Sequence, residues 1–479
     1  MTIATEIPLV SELADAVACD VLLPDHPDYD MLRRVWNADI DRHPAAIVRC
    51  RTAQDVSDAL VWATANGQRV TVRSGGHNLA GTAVGDGAVL IDTALMNDVT
   101  FDHEARTVTV GAGCRWGDVD RAASEFDVAV PAGAVSHTGV AGLTLGGGFG
   151  YLGRLFGATV DHVEEIEVVV ADGRILTANE DSEPELFWAL KGAGHNYGIA
   201  TRFTFRYVDL PGLVTVRQGL YAASDREKLI ARFADWGLKA PKNIGTYVRL
   251  LRAPEYWSQI PAAHRGEPII SVATVHYGDV EAEEAATSGM FEGVEPIWSV
   301  VRTMPHVTLQ HAADDEFRYG IAHYWKHIFL NEITPEAIAT MIEKSDAYPG
   351  RALNSSAHIS HQTMCPFEMI AGSLEPRDSS NDATAGVGAP FSANIGADWE
   401  YPGEKAPLVE WARDFDAALA PYKKGTYINF TSVQGDEDVA RAVYGDKYER
   451  LVAVKREYDP ANVFARGLVD LSDNAAVER

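Results

Sequence analysis

Over the first two hundred residues, short apolar runs alternate with amphipathic stretches, and turn residues separate them. Ala45–Val48 is an apolar run of strand length. Behind it, Thr52-Ala53-Gln54-Asp55 has capping-box spacing, with Asp in place of Glu or Gln. Val56, Ala59, Leu60 and Ala63 then recur at helical period until Gly67 stops the helix. Residues 69–73 form the next strand, so the chain opens β-α-β. Val89–Asp92 and Thr107–Val110 predict further strands, the second ended by Gly111 and Gly113. A short helix over Trp116–Phe126 leads to a strand at Val128–Pro131. Ile166–Val170 is another strand, turned by Asp172-Gly173, and residues 200–208 (ATRFTFRYV) alternate as an antiparallel strand does.

Past Pro211-Gly212, a plausible domain boundary, the texture changes. Amphipathic helices are expected over 225–237, 335–344 and 407–419, with β-like runs at 268–275 and 394–399 between them. That pattern fits an antiparallel sheet backed by helices and covering a ligand. Pro376–Gly388 is polar and rich in breakers, hence a loop. The tail returns to a helix over Tyr448–Lys455 and a turn over Asp459–Phe464. No internal repeat is visible. The expected organisation is therefore α+β, with one domain over 1–210, a second over 211–424, and a C-terminal segment, 425–479, that completes the first.

Length and charge narrow this picture. At 479 residues the chain exceeds what a single core usually supports. Its net charge of −27 argues against nucleic acid or an anionic membrane as partner. Cys19, Cys50, Cys114 and Cys365 have no paired spacing, which disfavours a disulfide scaffold or a structural zinc. The N-terminal segment lacks the pattern of a signal peptide, and no run reaches membrane-span length. A cytoplasmic monomer or homodimer is expected.

Two glycine clusters carry the chemistry. Arg73-Ser74-Gly75-Gly76-His77-Asn78 follows a strand, so bare amides there are free to approach phosphates, and His77 is carried to whatever they hold. The second cluster runs from His137-Thr138-Gly139 to Gly150. Within it, Gly148, Gly150 and Gly153 match GxGxxG, but no strand precedes them, so a nicotinamide Rossmann site is not expected. His323 and His327 are four apart; a helix packing aromatics is expected there rather than a metal site. His358 and His361 would face opposite sides of a strand, and no metal is expected.

The order and spacing of RSGGHN, PAGAVSHTGVAGLTLGGGFGYLGRLFG, ELFWALKGAGHNYGIAT and YDPANVF resemble those of the berberine-bridge-enzyme-like flavoproteins of the vanillyl-alcohol oxidase (p-cresol methylhydroxylase) superfamily. The likeness is close over about 40–208 and again over about 427–464. It implies a p-cresol-methylhydroxylase-type FAD domain of two α+β subdomains, and a substrate domain whose antiparallel sheet covers the flavin ring. It implies that His77 is bonded to the flavin 8α-methyl and that Arg73, Ser74, Gly75, Gly76 and Asn78 wrap the pyrophosphate. Gly133, Gly139, Val140, Gly142, Gly147, Gly148 and Leu152 match the second cofactor loop, and Gly198 and Ile199 match a third contact.

Many relatives carry a second link, from a cysteine to the flavin, at the position of Val135; a single histidyl bond is therefore expected here. The residues after Phe464 depart from the family pattern, so no C-terminal flavin contacts are carried over, and Asn462 is read as a turn residue. Tyr427 matches a tyrosine that often faces substrate, and Lys326 is the cation expected to support its phenolate. Thr138, close to valine in shape, stands where a small residue admits oxygen. An oxidase giving hydrogen peroxide is thus favoured over a dehydrogenase; a redox-vestigial flavin protein and an oxidative cyclase, which sequence does not separate from simple alcohol oxidation, are the alternatives. The substrate is expected to be a small alcohol, sugar, amine or phenolic metabolite, with Trp236, Trp257, Trp298, Trp325 and Trp399 as stacking candidates.

Overall fold

The computed structural model describes residues 12–472 apart from 211, 254, 256, 351–366, 372–379, 385–388, 433–436 and 466–468. His358, His361, Cys365, Pro211 and most of 376–388 lie outside the described residues. The strands are β1 (Asp20–Leu22), β2 (Ala46–Arg49), β3 (Val70–Arg73), β4 (Val89–Asp92), β5 (Val99–Asp102), β6 (Thr107–Gly111), β7 (Val128–Ala129), β8 (Val163–Val169), β9 (Ile175–Ala178), β10 (Ile199–Arg206) and β11 (Val208–Asp209). They continue as β12 (Val214–Ala222), β13 (Ile244–Arg252), β14 (Pro268–Tyr277), β15 (Trp298–Met304), β16 (Ala322–Leu330), β17 (Phe367–Ala371), β18 (Phe391–Trp399) and β19 (Lys423–Gly425).

The first sheet has the order β1-β2-β4-β3, with β4 parallel to both of its neighbours. The crossover from β2 to β3 is the helix Ala53–Ala65. It starts where the capping box lies: Thr52 Oγ1 accepts from the Asp55 amide at 3.1 Å, and the Asp55 carboxylate accepts from the Thr52 amide at 3.0 Å. Its apolar stripe, Val56, Ala59, Leu60 and Ala63, is fully buried against the sheet. A second sheet, β5-β6-β10-β8-β9, is antiparallel throughout. Both sheets precede residue 210 and together form two α+β units.

The third sheet has eight antiparallel strands in the order β15-β12-β14-β13-β17-β18-β16-β19. Helices Arg226–Lys239, Pro335–Asp346 and Lys405–Leu419 bury Phe233, Met341, Trp411 and Phe415 against one of its faces. The other face looks toward the glycine loops. The last helix, Tyr448–Tyr458, packs Leu451, Val452 and Tyr458 into the core that also holds Trp188 of the helix Pro184–Ala193 and Phe203 and Phe205 of the second sheet. Tyr197 donates to the Leu451 carbonyl at 3.1 Å, and Lys455 to that of Asn196 at 2.8 Å.

One expectation is overturned. His323 and His327 stand on strand β16, not on a helix. Residues four apart share a face at either period, so their spacing could not decide between the two. What decides is pairing: β16 runs antiparallel to β18 from Ala322↔Trp399 to Leu330↔Phe391. Extended backbone separates the two imidazoles by about 13 Å, too far to share an ion. Among the described residues no cluster of metal-type side chains exists, and no helix is long and apolar enough to cross a membrane.

Candidate active site

A cavity of about 360 Å³ lies between the glycine loops and the open face of the third sheet. The Arg73–Asn78 loop leaves the end of β3, and the segment 133–142 lies against it. The two loops meet backbone to backbone: a Cβ placed on Gly75 would stand 2.5 Å from Gly139 Cα. The amides of Gly75, Gly76, His77 and Asn78 donate to no described protein group, so four adjacent N–H donors are left at the cavity wall. A Cβ on Gly142 would meet nothing within 4 Å, so this wall leaves room beside its backbone.

Ser74, Gly75, Gly76, His77, Asn78, Gly133, Thr138, Gly139, Gly142, Gly198, Ile199 and Tyr427 all line the cavity. Arg73, Val140, Gly147, Gly148, Leu152 and Lys326 do not line it. The buried Arg73 guanidinium turns back to Asp92 at 2.8 Å and holds the sheet end rather than a phosphate. Val140 and Leu152 are buried in hydrophobic cores. Gly147 and Gly148 take positive φ (120° and 78°), and a Cβ on Gly148 would collide with Thr159. These residues shape the loop from behind. Val135 lines the cavity; Cys19, Cys50 and Cys114 are buried elsewhere.

His77 Nε2 lies 2.7 Å from His137 Nδ1, while its Nδ1 has no protein partner. Trp36 stacks on the imidazole at 4.8 Å and also on His323 at 3.9 Å. Burial, reinforced by the charges of His137, Arg115 and His323, holds the His77 pKa well below the usual histidine range, so the ring is neutral. Nothing in the spacing of His137 marked it as a partner of His77, sixty residues away.

The opposite wall is built from side chains. Asp398 on β18 accepts from His323 Nδ1 at 2.5 Å and from Trp325 Nε1 at 2.7 Å, all through Oδ1. His323 is 3% exposed, and its Nε2 is buried without a partner. Neither Asp398 nor this use of His323 was readable from sequence, since the strands that carry them are about seventy-five residues apart. The Tyr427 hydroxyl oxygen accepts from the Gly148 amide at 2.8 Å and from Asn429 Nδ2 at 2.9 Å, and burial raises its pKa further above neutrality. Lys326 is not beside it. Strand alternation puts His323 and Trp325 toward the cavity, and Lys326 toward helix Lys405–Leu419, 3.9 Å from Asp416. Of the five tryptophans named as stacking candidates, Trp325 alone lines the cavity.

Free amides on a glycine-lined wall suit a diphosphate, and a neutral imidazole beside an aromatic stack suits a fused ring. The site therefore fits FAD, and fold and site together define a flavin-dependent oxidoreductase. Residues 44–179 match the FAD binding domain family, and residues 426–466 match the family described as berberine and berberine like. The (R)-6-hydroxynicotine oxidase of Paenarthrobacter nicotinovorans is 30% identical over 465 residues, 93% of this chain and 95% of that protein. The chain belongs to the berberine-bridge-enzyme-like FAD-linked oxidoreductases. Among solved structures, 6-hydroxy-D-nicotine oxidase from Arthrobacter nicotinovorans has a TM-score of 0.80 at 25% identity, covering 94% of this chain and 97% of that one. Xylooligosaccharide oxidase from Myceliophthora thermophila shares the fold, with a TM-score of 0.79 at 21% identity over 96% of this chain and 99% of its own.

Proposed function

We propose that this protein is an oxidase that holds FAD through one covalent bond, from His77, and oxidises a small alcohol, sugar, amine or phenolic compound with O2 as acceptor. FAD, when bound, supplies a hydride acceptor and returns the electrons to oxygen as hydrogen peroxide. The observation that carries the reading is His77: neutral, gripped at Nε2, and with Nδ1 unengaged in a cavity lined by free amides. With Val135 where a second link would start, His77 is the single point of attachment. Residues 1–210 and 425–479 then form the FAD domain and 211–424 the substrate domain, supported by the core that the tail shares with the second sheet. Ser74–Asn78, Gly139, Gly142, Gly198 and Ile199 would hold the cofactor.

On the substrate side, Asp398 is the group suited to take a proton from a hydroxyl or amine. Its carboxylate is oriented by two N–H donors through Oδ1, which leaves Oδ2 for substrate. Tyr427 lines the same space, but a buried phenol that already accepts two hydrogen bonds serves better to position substrate than to deprotonate it. Thr138, at the glycine wall, leaves room for oxygen. Relatives whose names include a nicotine derivative and an oligosaccharide show how widely substrates vary on this fold.

The test is direct. Acid-denatured protein should retain yellow flavin, and His77→Ala should release it. A panel of sugars, phenolic alcohols and cyclic amines should contain a compound that bleaches the flavin without air. Admitting oxygen should restore the colour within seconds and produce peroxide. Recolouring over minutes would turn the assignment to a dehydrogenase.

A further inference from the structure

We propose that His137 is the positioning residue for flavin attachment, the proton acceptor that directs the covalent bond to His77 Nδ1. This rests on the histidyl-flavin reading above and assigns the attachment atom and the group that activates it.

The argument is one of proton placement along a chain of hydrogen bonds. His137 Nε2 lies 3.3 Å from the backbone oxygen of Asp314. A carbonyl only accepts, so that nitrogen carries a hydrogen. Neutral His137 then has a bare Nδ1, and this atom lies 2.7 Å from His77 Nε2. One hydrogen occupies that short contact, and it belongs to His77. The remaining nitrogen of His77, Nδ1, is therefore a lone-pair nitrogen in the cavity. The tautomer of the nucleophile is set by a carbonyl two residues removed from it in the hydrogen-bond chain.

The relay is held rigidly. Ser136, next to His137, donates its amide to Asp314 Oδ1 at 2.9 Å and its hydroxyl to Oδ2 at 2.6 Å, and His311 Nδ1 lies 2.8 Å from the same carboxylate. Trp36 and Tyr319 pack on the His77 ring, face-on at 4.8 Å and edge-on at 5.6 Å. Burial also lowers the pKa of His137, so a second proton on the pair is disfavoured before the reaction begins.

Attachment then balances as follows. His77 Nδ1 forms a C–N bond to the carbon of the flavin 8-methyl group, which gives up one hydrogen as a proton. As positive charge develops on the His77 ring, its Nε2 proton passes to His137 Nδ1. The ring system ends two electrons reduced and carries two hydrogens, equivalent to one from the methyl group and one from the imidazole. Dioxygen takes those two electrons and two protons and leaves as hydrogen peroxide. The oxidised, histidyl-bound flavin remains.

The experiment mixes full-length apoprotein, produced in a riboflavin-starved host, with FAD in air, and follows the fraction of flavin that stays with acid-precipitated protein. For His137→Ala we expect FAD to bind but attach about a hundredfold more slowly than in wild type, the lower end of what a placed proton acceptor contributes. Added imidazole should restore much of the rate. His137→Asn can accept the His77 hydrogen but cannot take up the proton, so it should remain slow. The flavin peptide cut from wild type should be the Nδ1-linked isomer. Attachment in His137→Ala at the wild-type rate, or an Nε2-linked peptide from wild type, overturns the proposal. Release of all flavin from denatured wild type would instead sink the histidyl-flavin reading itself. Linkage chemistry is read on wild type and does not depend on the variants folding.

Discussion

The two walls of the cavity are made by opposite means. The wall before residue 210 centres on backbone: glycines pressed against each other, amides without protein acceptors, and the imidazoles of His77 and His195. The wall from the third sheet is side chain: Asp398, His323 and Trp325, joined by Tyr427 just past the last strand, each held by specific hydrogen bonds. A backbone wall recognises what every FAD presents, whereas a side-chain wall is free to vary with the substrate. Relatives on this fold are named for compounds as different as a hydroxynicotine and a xylooligosaccharide.

The comparison breaks most readily at the glycines. Gly75→Ala places a Cβ 2.5 Å from the Gly139 backbone, which cannot swing aside, so the loops must part. FAD content of the purified protein should fall more than tenfold, as read by absorbance per protein. Gly142→Ala is the control, since its Cβ meets no protein atom within 4 Å. Gly142 lies in the short helix Val140–Leu145, so the thermal midpoint without flavin should hold or rise slightly on gaining an alanine. Loss of FAD from Gly142→Ala alone, with Gly75→Ala unaffected, would invert the account of this wall.

Next comes the side-chain wall. Asp398→Asn keeps the shape but removes the charge that takes hydrogen bonds from His323 and Trp325. Stopped-flow reduction of the flavin should slow about a hundredfold while FAD content and linkage stay unchanged. An undiminished rate would remove Asp398 from the chemistry.

Acid should also strain the side-chain wall through His327. Its Nδ1 accepts the Tyr427 amide at 2.9 Å, and burial lowers its pKa to about 3. Buried His306 is likewise lowered to about 4. Both pKa values lie below the unfolded value of ~6.5, so unfolding takes up protons. Their stabilisation is present above that pH and is lost as pH falls toward 3–4. Asp120 works against them. Burial raises its pKa to about 7, so its contribution is greatest below ~4 and is lost as pH rises through 7. Buried histidines, His195 at about 4 among them, outweigh one carboxylate between pH ~6.5 and ~5, and the urea midpoint should drop across that interval. A flat midpoint would show that these imidazoles are not buried neutral.

The smallest effect is expected at Lys326. It faces Asp416 at 3.9 Å on the helix side of β16. Lys326→Ala should cost less than about 1 kcal/mol in urea unfolding and leave flavin reduction unchanged. A slow Lys326→Ala enzyme would restore the cation to the active site.

The backbone wall was legible because its requirement is local. A glycine is needed at the very position where backbones touch, so RSGGHN and the second cluster announce themselves, and the helix after Thr52 does so through its cap. Arg73, Val140 and Leu152, in the same motifs, do not line the cavity and stand behind the loop. The β16 segment could not be read correctly from spacing, since both helical and extended periods put His323 and His327 on one face.

Amino-acid order alone therefore determined the α+β class, the glycine loops and the histidine carried at the end of the first, because each depends on a few consecutive residues. Only tertiary structure decided which nitrogen of His77 is free, which carboxylate stands on the opposite cavity wall, and that Lys326 looks away. Those facts depend on strands and loops sixty or more residues apart meeting within hydrogen-bond distance, and on the alternation that a sheet imposes once its partners are chosen.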